Sequence, residues 1–212
     1  MRNILISIKP EWVEKILNRE KTIEIRKSMP KCELPCKVYI YCTQGKHDNW
    51  LRKYPFSIKE SFYQLCDDNF NCLNGKVIAE FTLNRIDFLI DVGFGIHYVD
   101  KELKDLDLDF LRTNSCLTDE QIYFYLGLKK DSGYYNDGYV WHIDDLIIYD
   151  KPKELDEFSV YIPNNKCEKH EQGFNCEKCD YYIKQYRTCG SCYYLYRKLK
   201  RPPQSWCYVE GE

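Results

Sequence analysis

The last quarter of the chain has cysteine spacing typical of a metal site. It contains two Cys-x-x-Cys pairs separated by nine residues, Cys176 with Cys179 and Cys189 with Cys192. Two thiolates at this spacing on a tight turn can point at one ion, so the two pairs can complete a tetrahedral Zn²⁺ site. Cys167 or His170 can replace one member of the second pair, and a redox pair or free thiols is the alternative without metal. Four protein ligands leave no open coordination position, so we expect one structural zinc.

The same stretch is basic and rich in tyrosine. Between Lys166 and Arg201 there are nine Lys/Arg against four Asp/Glu, with six tyrosines among them. This mixture suits contact with phosphates and stacking on bases, and equally suits the small core of a zinc module. Because so long a loop needs an organiser, we predict that residues 163–201 form a zinc-stabilised insertion in a domain made of residues 1–162 and 202–210.

A second group of residues with chemical potential runs from Lys21 to Arg26. Glu24 and Arg26 alternate with Ile23 and Ile25, as on a strand with one apolar and one polar face. Lys21, Glu24 and Arg26 together supply donors and an acceptor to a base or a phosphate. An exposed strand face with cross-strand ion pairs fits the same pattern, and the residues alone favour it.

The surrounding periodicity predicts several short strands with two or three helices, hence an α+β barrel closed by a terminal strand. A capping box at Thr118 and Gln121 and a closing Gly127 mark one helix clearly. The predicted strands are Ile4–Ile8, 22–26, Lys37–Cys42, Lys76–Phe88, Tyr139–Asp150 and Ser205–Val209; the predicted helices are Pro10–Asn18 and Asp119–Leu126, with a short helical excursion within Lys46–Leu73.

Composition limits the class of protein and its partners. The chain has 212 residues, 30% of them charged and 16% aromatic, which is enough for one cored domain with an appendage. No apolar run reaches bilayer length and the start lacks a signal peptide, so we expect a cytoplasmic protein with no membrane partner. Residues 1–62 hold 13 Lys/Arg against 7 Asp/Glu, which favours a polyanionic partner. The 12 cysteines fit zinc and free thiols better than a secreted disulfide scaffold.

The segments Ile4–Pro10 and Ile16–Lys27 resemble the start of ASCH domains, whose signature is Gly-x-Lys-x-x-Glu-x-Arg. In this chain Arg19 occupies the place of the signature glycine. A position that needs a left-handed backbone would strain Arg19 or shift the turn to Asn18. Further blocks look like those of phage or bacterial members of the family: Gly75–Phe81, Tyr139–Ile143, Tyr149–Pro152 and Pro202–Val209.

The resemblance implies a PUA-like mixed β-barrel with flanking helices that binds RNA or a modified nucleotide. The expected cleft residues are Lys9, Lys21, Thr22, Glu24, Arg26, Tyr41 and Trp141, with Tyr41 or Trp141 stacking on the base.

Two alternatives remain open. Some family members are N4-acylcytidine amidohydrolases, so Lys21 with Glu24 or Glu80 could serve such an enzyme or a ribonuclease, although Glu24 stands where those enzymes have a threonine. The other alternative is a protein-interaction adaptor that binds a protein partner through the zinc insertion.

Overall fold

The computed structural model describes residues 2–45, 49–55, 61–91, 95–127, 138–162, 182–183, 188–189 and 195–210. Within these ranges the helices are α1 (Pro10–Leu17), α2 (Leu108–Ser115) and α3 (Asp119–Leu126), with a short 3-10 helix at Leu155–Glu157. The strands in chain order are β1 (Arg2–Ile8), β2 (Ile23–Arg26), β3 (Cys36–Cys42), β4 (Trp50–Pro55), β5 (Ser61–Cys66), β6 (Val77–Leu83), β7 (Ile86–Asp91), β8 (Ile96–Val99), β9 (Gly138–His142), β10 (Asp144–Lys153), β11 (Ser159–Ile162), β12 (Tyr182–Ile183), β13 (Thr188–Cys189), β14 (Leu195–Lys198) and β15 (Trp206–Glu210).

The largest sheet has five strands in the order β10-β6-β3-β1-β15. It is mixed, because β1 and β3 are parallel whereas the other pairs are antiparallel. The last strand pairs with the first, with Arg2 opposite Glu210 and Ile6 opposite Trp206. The predicted terminal strand is thus present and joins the start of the fold.

A separate four-stranded sheet has the order β2-β9-β7-β8. The remaining strands form two-stranded pairs, β4-β5, β11-β14 and β12-β13. The predicted α+β class is confirmed, but the predicted closed barrel is wrong for the described residues, in which no hydrogen-bonded ladder joins the edges of the two large sheets. The predicted chain division at residues 162 and 202 stays a prediction.

Three apolar clusters show how the layers stack. The largest lies on the inner face of the five-stranded sheet, where Ile4, Ile40 and Phe81 pack with α1 and with Trp141 of the four-stranded sheet. A second cluster covers the far side of the four-stranded sheet, beneath α2 and α3. A third covers the outer face of the five-stranded sheet, where Tyr39 packs against Phe158. Trp141 therefore belongs to the layer that the two sheets share.

Local sequence signals correctly predicted the third helix, and the structure decides between the two positions that were left open for a left-handed turn. In α3 both hydrogen bonds of the Thr118–Gln121 capping box form, and Gly127 ends the helix with a φ of 74°. After α1, Arg19 has a φ of 62° whereas Asn18 has a φ of −82°. Arg19 itself adopts the left-handed conformation, at the position where the family signature has glycine.

Several predicted elements differ from the observed ones. The segment predicted as a helical excursion contains the hairpin β4-β5, which buries Leu51 and Tyr63 against the inner core. The predicted strand Lys76–Phe88 is two strands, β6 and β7, that belong to different sheets. The predicted strand Tyr139–Asp150 likewise divides between β9 and β10. These switches between sheets depend on tertiary packing. The alternation of β6 breaks at Asn84 and Arg85, but that break does not show that the next strand joins another sheet.

None of the described helices is both long enough and apolar enough to cross a membrane.

Candidate nucleic-acid site

The turn after α1 delivers Lys21 to the start of β2. The backbone N–H groups of Glu20 and Lys21 both bind the carbonyl of Lys15, at 2.9 and 3.1 Å, across the left-handed turn at Arg19. Within β2, Ile23 and Ile25 join the cluster beneath α2 and α3. Since successive side chains of a strand alternate, Glu24 and Arg26 point the other way, toward the five-stranded sheet. The predicted alternation is confirmed, and both faces of β2 are buried.

Lys21, Glu24 and Arg26 form one charged cluster. Lys21 Nζ lies 3.2 Å from Glu24 Oε2, and Arg26 Nη2 lies 2.9 Å from Glu24 Oε1. The side chains are only 1%, 10% and 7% exposed, respectively, so water screens these ion pairs weakly. The cluster holds two cations and one carboxylate, which leaves an excess positive charge among its three members.

Backbone and hydroxyl oxygens from three distant segments anchor the two cations. Lys21 Nζ donates to the carbonyl of Ser115 at 2.7 Å, at the end of α2. Arg26 Nη2 donates to the carbonyl of Ser7 at 2.9 Å, and Arg26 Nη1 donates to Ser205 Oγ at 3.3 Å. The charged cluster therefore fastens β2 to β1, to α2 and to the segment that enters β15.

Two buried donors at this site lack a hydrogen-bond partner among the described residues. They are Arg26 Nε and Trp141 Nε1. Trp141 lies directly opposite Glu24 in the β2-β9 ladder, so both side chains face the same layer. A buried N–H without an acceptor costs about 1–3 kcal/mol, so an acceptor from water or a ligand would stabilise the site.

Aromatic rings surround the charged cluster. The Lys21 ammonium lies 5.6 Å from the centre of the Trp12 ring, within the range of a cation–π contact. The Trp206 ring lies 5.8 Å from that of Trp141, and Trp206 Nε1 donates to Ser28 Oγ at 3.1 Å. On α3, burial raises the pKa of Tyr125, and the nearby Arg26 opposes this rise. Tyr125 is 36% exposed, and Lys27 lies 5.5 Å from its ring centre.

The structure brings only some of the predicted cleft residues to this place. Trp141 lies beside the charged cluster, but its ring is fully buried, which leaves no free face for stacking on a base. Thr22 donates to Asn114 Oδ1 at 2.6 Å and is half-buried. Lys9 is exposed and lies 3.7 Å from Glu11. Tyr41 packs with Tyr39 and Phe158 on the outer face of the five-stranded sheet, away from Trp141.

Glu80 also lies on the outer face of the five-stranded sheet. It is paired with Tyr39 in the β3-β6 ladder, whereas its neighbours Ala79 and Phe81 belong to the inner core. Glu80 accepts hydrogen bonds from Lys37 and Tyr149. Burial alone would raise the pKa of Glu80, but these two hydrogen bonds and the charges of Lys37 and Lys153 together lower it. The sheet therefore separates Glu80 from Lys21.

The predicted zinc ligands Cys167, His170, Cys176, Cys179 and Cys192 lie outside the described residues, and Cys189 is described only as part of β13. Within the described ranges, no group of three or more His, Cys, Asp or Glu side chains is placed to hold a metal. The zinc site and the adaptor surface built on it stay predictions.

The amino-acid sequence gives little signal for the partners that the tertiary structure supplies to the charged cluster. Ser7 and Ser115 contribute main-chain carbonyls, which carry no side-chain signal in a sequence. Ser205 had a weak signal, because it lies in the block Pro202–Val209 that resembles ASCH proteins. Trp12 lies within the predicted helix Pro10–Asn18, and nothing local in the sequence indicates its contact with Lys21.

No protein-family model matches the chain, and no curated protein matches it significantly. Among solved structures it is similar to "Crystal structure of ASCH from Zymomonas mobilis", at 16% identity and a TM-score of 0.46 over 98% of this chain and 87% of that chain. A serine-to-alanine mutant of that protein gives 16% identity and a TM-score of 0.45, over 98% and 88% of the two chains. A tyrosine-to-phenylalanine mutant gives 17% and 0.41, over 74% and 78%. Similarity at this level carries no functional argument for this chain.

Proposed function

We propose that the chain binds RNA or a modified nucleotide through the charged cluster of Lys21, Glu24 and Arg26. Lys21 and Arg26 would bind phosphate or carbonyl oxygens of the ligand. Glu24 would hold the two cations in place through its two oxygens and accept a further hydrogen bond from an exocyclic amine. Trp141 would contribute its indole N–H as a donor.

The observation that carries this proposal is the combination of excess positive charge and unpartnered donors in one buried place. Ions buried in a protein cost several kcal/mol each unless they are paired, and an ion-pair cluster is often no more stable than apolar side chains of the same size. Stability alone therefore gives little reason for two cations and one carboxylate here. An anionic ligand with acceptor atoms would balance the charge and satisfy Arg26 Nε and Trp141 Nε1.

A ligand would reach the charged cluster from the edge of the cluster where Glu24 and Arg26 retain some exposure to solvent. Tyr125 and Lys27 lie next to this edge. Trp206 is half-buried near Trp141, so it is a better candidate than Trp141 for stacking on a base. Trp206 would thus take the stacking role that was predicted for Trp141.

Binding of a short single-stranded RNA and of mononucleotides tests the proposal. Arg26→Lys keeps the charge and loses the planar fork, and we expect it to weaken binding roughly tenfold. We also expect wild-type affinity to fall as salt rises. Lys151→Ala is the matched control, since Lys151 is exposed on β10, at the opposite edge of the five-stranded sheet from β15. Unchanged affinity in a folded Arg26→Lys protein would count against the site.

The enzymatic alternative receives less support from the geometry. A deacylase that uses Lys21 with Glu80 needs both side chains at one substrate, and the sheet separates them. Glu24 is close to Lys21 but is already paired with both cations. Product analysis of N4-acetylcytidine and a short RNA, incubated with wild type and Lys21→Ala, would reveal any Lys21-dependent turnover.

A further inference from the structure

Two cysteines lie close together where the connection between β2 and β3 ends. The Cys32 thiol donates a hydrogen bond to Cys36 Sγ across 3.4 Å. Cys32 is half-buried and Cys36, the first residue of β3, is buried. Because the sulfurs are already in contact, the two side chains point toward each other, and a covalent S–S bond of about 2.05 Å needs only a small approach.

We propose that Cys32 and Cys36 are a redox modification site that forms a reversible intramolecular disulfide with a hydroperoxide as oxidant. The Cys32 thiolate attacks the O–O bond, and with one proton it becomes a sulfenic acid while an alcohol or water leaves. The Cys36 thiol then attacks the Cys32 sulfur, the S–S bond forms and water leaves. The hydroperoxide is reduced by two electrons and the two thiols are oxidised by two.

The different surroundings of the two thiols determine that Cys32 reacts first and Cys36 second. Cys32 has the greater access to solvent and hence to the oxidant. Burial, together with the hydrogen bond from Cys32, raises the pKa of Cys36 to about 12, so Cys36 is a poor first nucleophile. Its contact with Cys32 nevertheless places it to resolve a sulfenic acid there before further oxidation.

The bond would close a short loop in a connection that borders the charged cluster. Upstream of Cys32, Ser28 Oγ accepts from Trp206 Nε1, and the backbone N–H of Lys31 binds the Tyr208 hydroxyl. Downstream, β3 is a central strand of the five-stranded sheet. A disulfide would therefore tie this connection directly to the sheet.

Peptide mapping tests the proposal on the whole protein. Trypsin cuts after Lys31 and Lys37, so both cysteines fall in the hexapeptide 32–37, and Cys42 falls in the peptide 38–46. The protein is reduced, exposed to a small excess of hydrogen peroxide, unfolded in urea so that every remaining thiol can react, alkylated and digested. We expect hexapeptide 32–37 to lose two hydrogens and escape alkylation. When dithiothreitol is added before alkylation, the same peptide should carry two alkyl groups.

The peptide 38–46 is the internal control. Burial raises the pKa of the Cys42 thiol, so we expect peroxide to leave Cys42 reduced and the reagent to alkylate it after unfolding. In Cys36→Ser we expect Cys32 to be oxidised further to sulfinic acid, since no resolving thiol remains. We also expect the melting temperature of oxidised wild type to exceed that of the reduced form by roughly 5 °C. Full alkylation of both cysteines after peroxide treatment, or a disulfide from Cys32 to another cysteine, would overturn the proposal.

Discussion

Similar charged residues lie on the two sides of the five-stranded sheet, in very different surroundings. Toward the inner face, Lys21, Glu24 and Arg26 are at most 10% exposed. On the outer face, Glu80 is 13% exposed but its partner Lys37 is 43% exposed. Solvent can screen the outer pair, whereas the inner cluster depends on its own geometry for compensation. The comparison shows that the surroundings, more than the residue types, distinguish a candidate binding site from an ordinary ion pair.

The aromatic residues on the two sides of the sheet also differ in whether their polar neighbours have partners. On the outer face, Lys153 lies 5.2–6.0 Å from the ring centres of Tyr39, Tyr149 and Phe158, and Tyr149 donates to Glu80. On the inner side, Trp141 Nε1 and Arg26 Nε have no partner in the part of the chain that the structure describes. Of these two groups of described residues, the inner cluster is therefore the one with donors that need an added acceptor.

Neutralising one carboxylate on each side should have the largest and most unequal effect. Glu24→Gln leaves Lys21 and Arg26 buried without a counter-charge, so we expect the free energy of unfolding to fall by about 3–5 kcal/mol. Glu80→Gln leaves one lysine that solvent already reaches, and we expect a loss of about 1 kcal/mol. Urea titration of both variants measures the difference. Equal losses would contradict the contrast between the two faces.

Small anions should stabilise the inner cluster. Because the cluster has an excess positive charge, we expect millimolar sulfate to raise the melting temperature by roughly 3 °C beyond sodium chloride of equal ionic strength. The general effect of sulfate on protein stability acts on any variant. In Arg26→Gln only that general effect should remain. The same rise in wild type and Arg26→Gln would show that no anion binds at the cluster.

Removing the unpartnered indole N–H should affect ligand binding without unfolding the protein. Trp141→Phe keeps an aromatic ring in the core and deletes a donor that has no acceptor among the described residues. We expect nucleotide or RNA affinity to fall about fivefold, which corresponds to one lost hydrogen bond. Calorimetric titration measures the affinity, and circular dichroism checks that the fold is retained. An unchanged affinity would remove Trp141 from the proposed site.

The outer face should show a small, predictable dependence on acid. Burial acts to raise the pKa of Glu80, but hydrogen bonds from Lys37 and Tyr149 bring it below its ordinary value of 4.5. A carboxyl with a lowered folded-state pKa stabilises the fold above its unfolded pKa, and this contribution is lost as pH falls through the folded-state pKa. The stability gap between wild type and Glu80→Gln should therefore shrink below about pH 4.5. If the difference in stability between the two proteins persists at pH 2, the charge of Glu80 is not its cause.

Local signals in the sequence determined several elements of the fold. The alternation in residues 22–26 predicted which side chains of β2 share a face, since a strand repeats every two residues. The capping box at Thr118 and the closing Gly127 predicted α3, because both act within a single helical turn. The resemblance to the ASCH signature left Arg19 and Asn18 as alternatives for a left-handed turn, and the structure places that turn at Arg19. Each of these features depends on neighbours in sequence.

Only the tertiary structure decided which surfaces are buried and which charged residues meet. The polar face of β2 could not be recognised as buried, because a second sheet covers it and its partners are carbonyls of Ser7 and Ser115. Glu80 could not be separated from Lys21 in the sequence, because the face on which a side chain lies depends on how the strands assemble. The break in alternation at Asn84 and Arg85 marks the end of β6, but it does not show that β7 joins the other sheet. Burial and long-range pairing are properties of the whole fold, and they turn Lys21, Glu24 and Arg26 into one cluster.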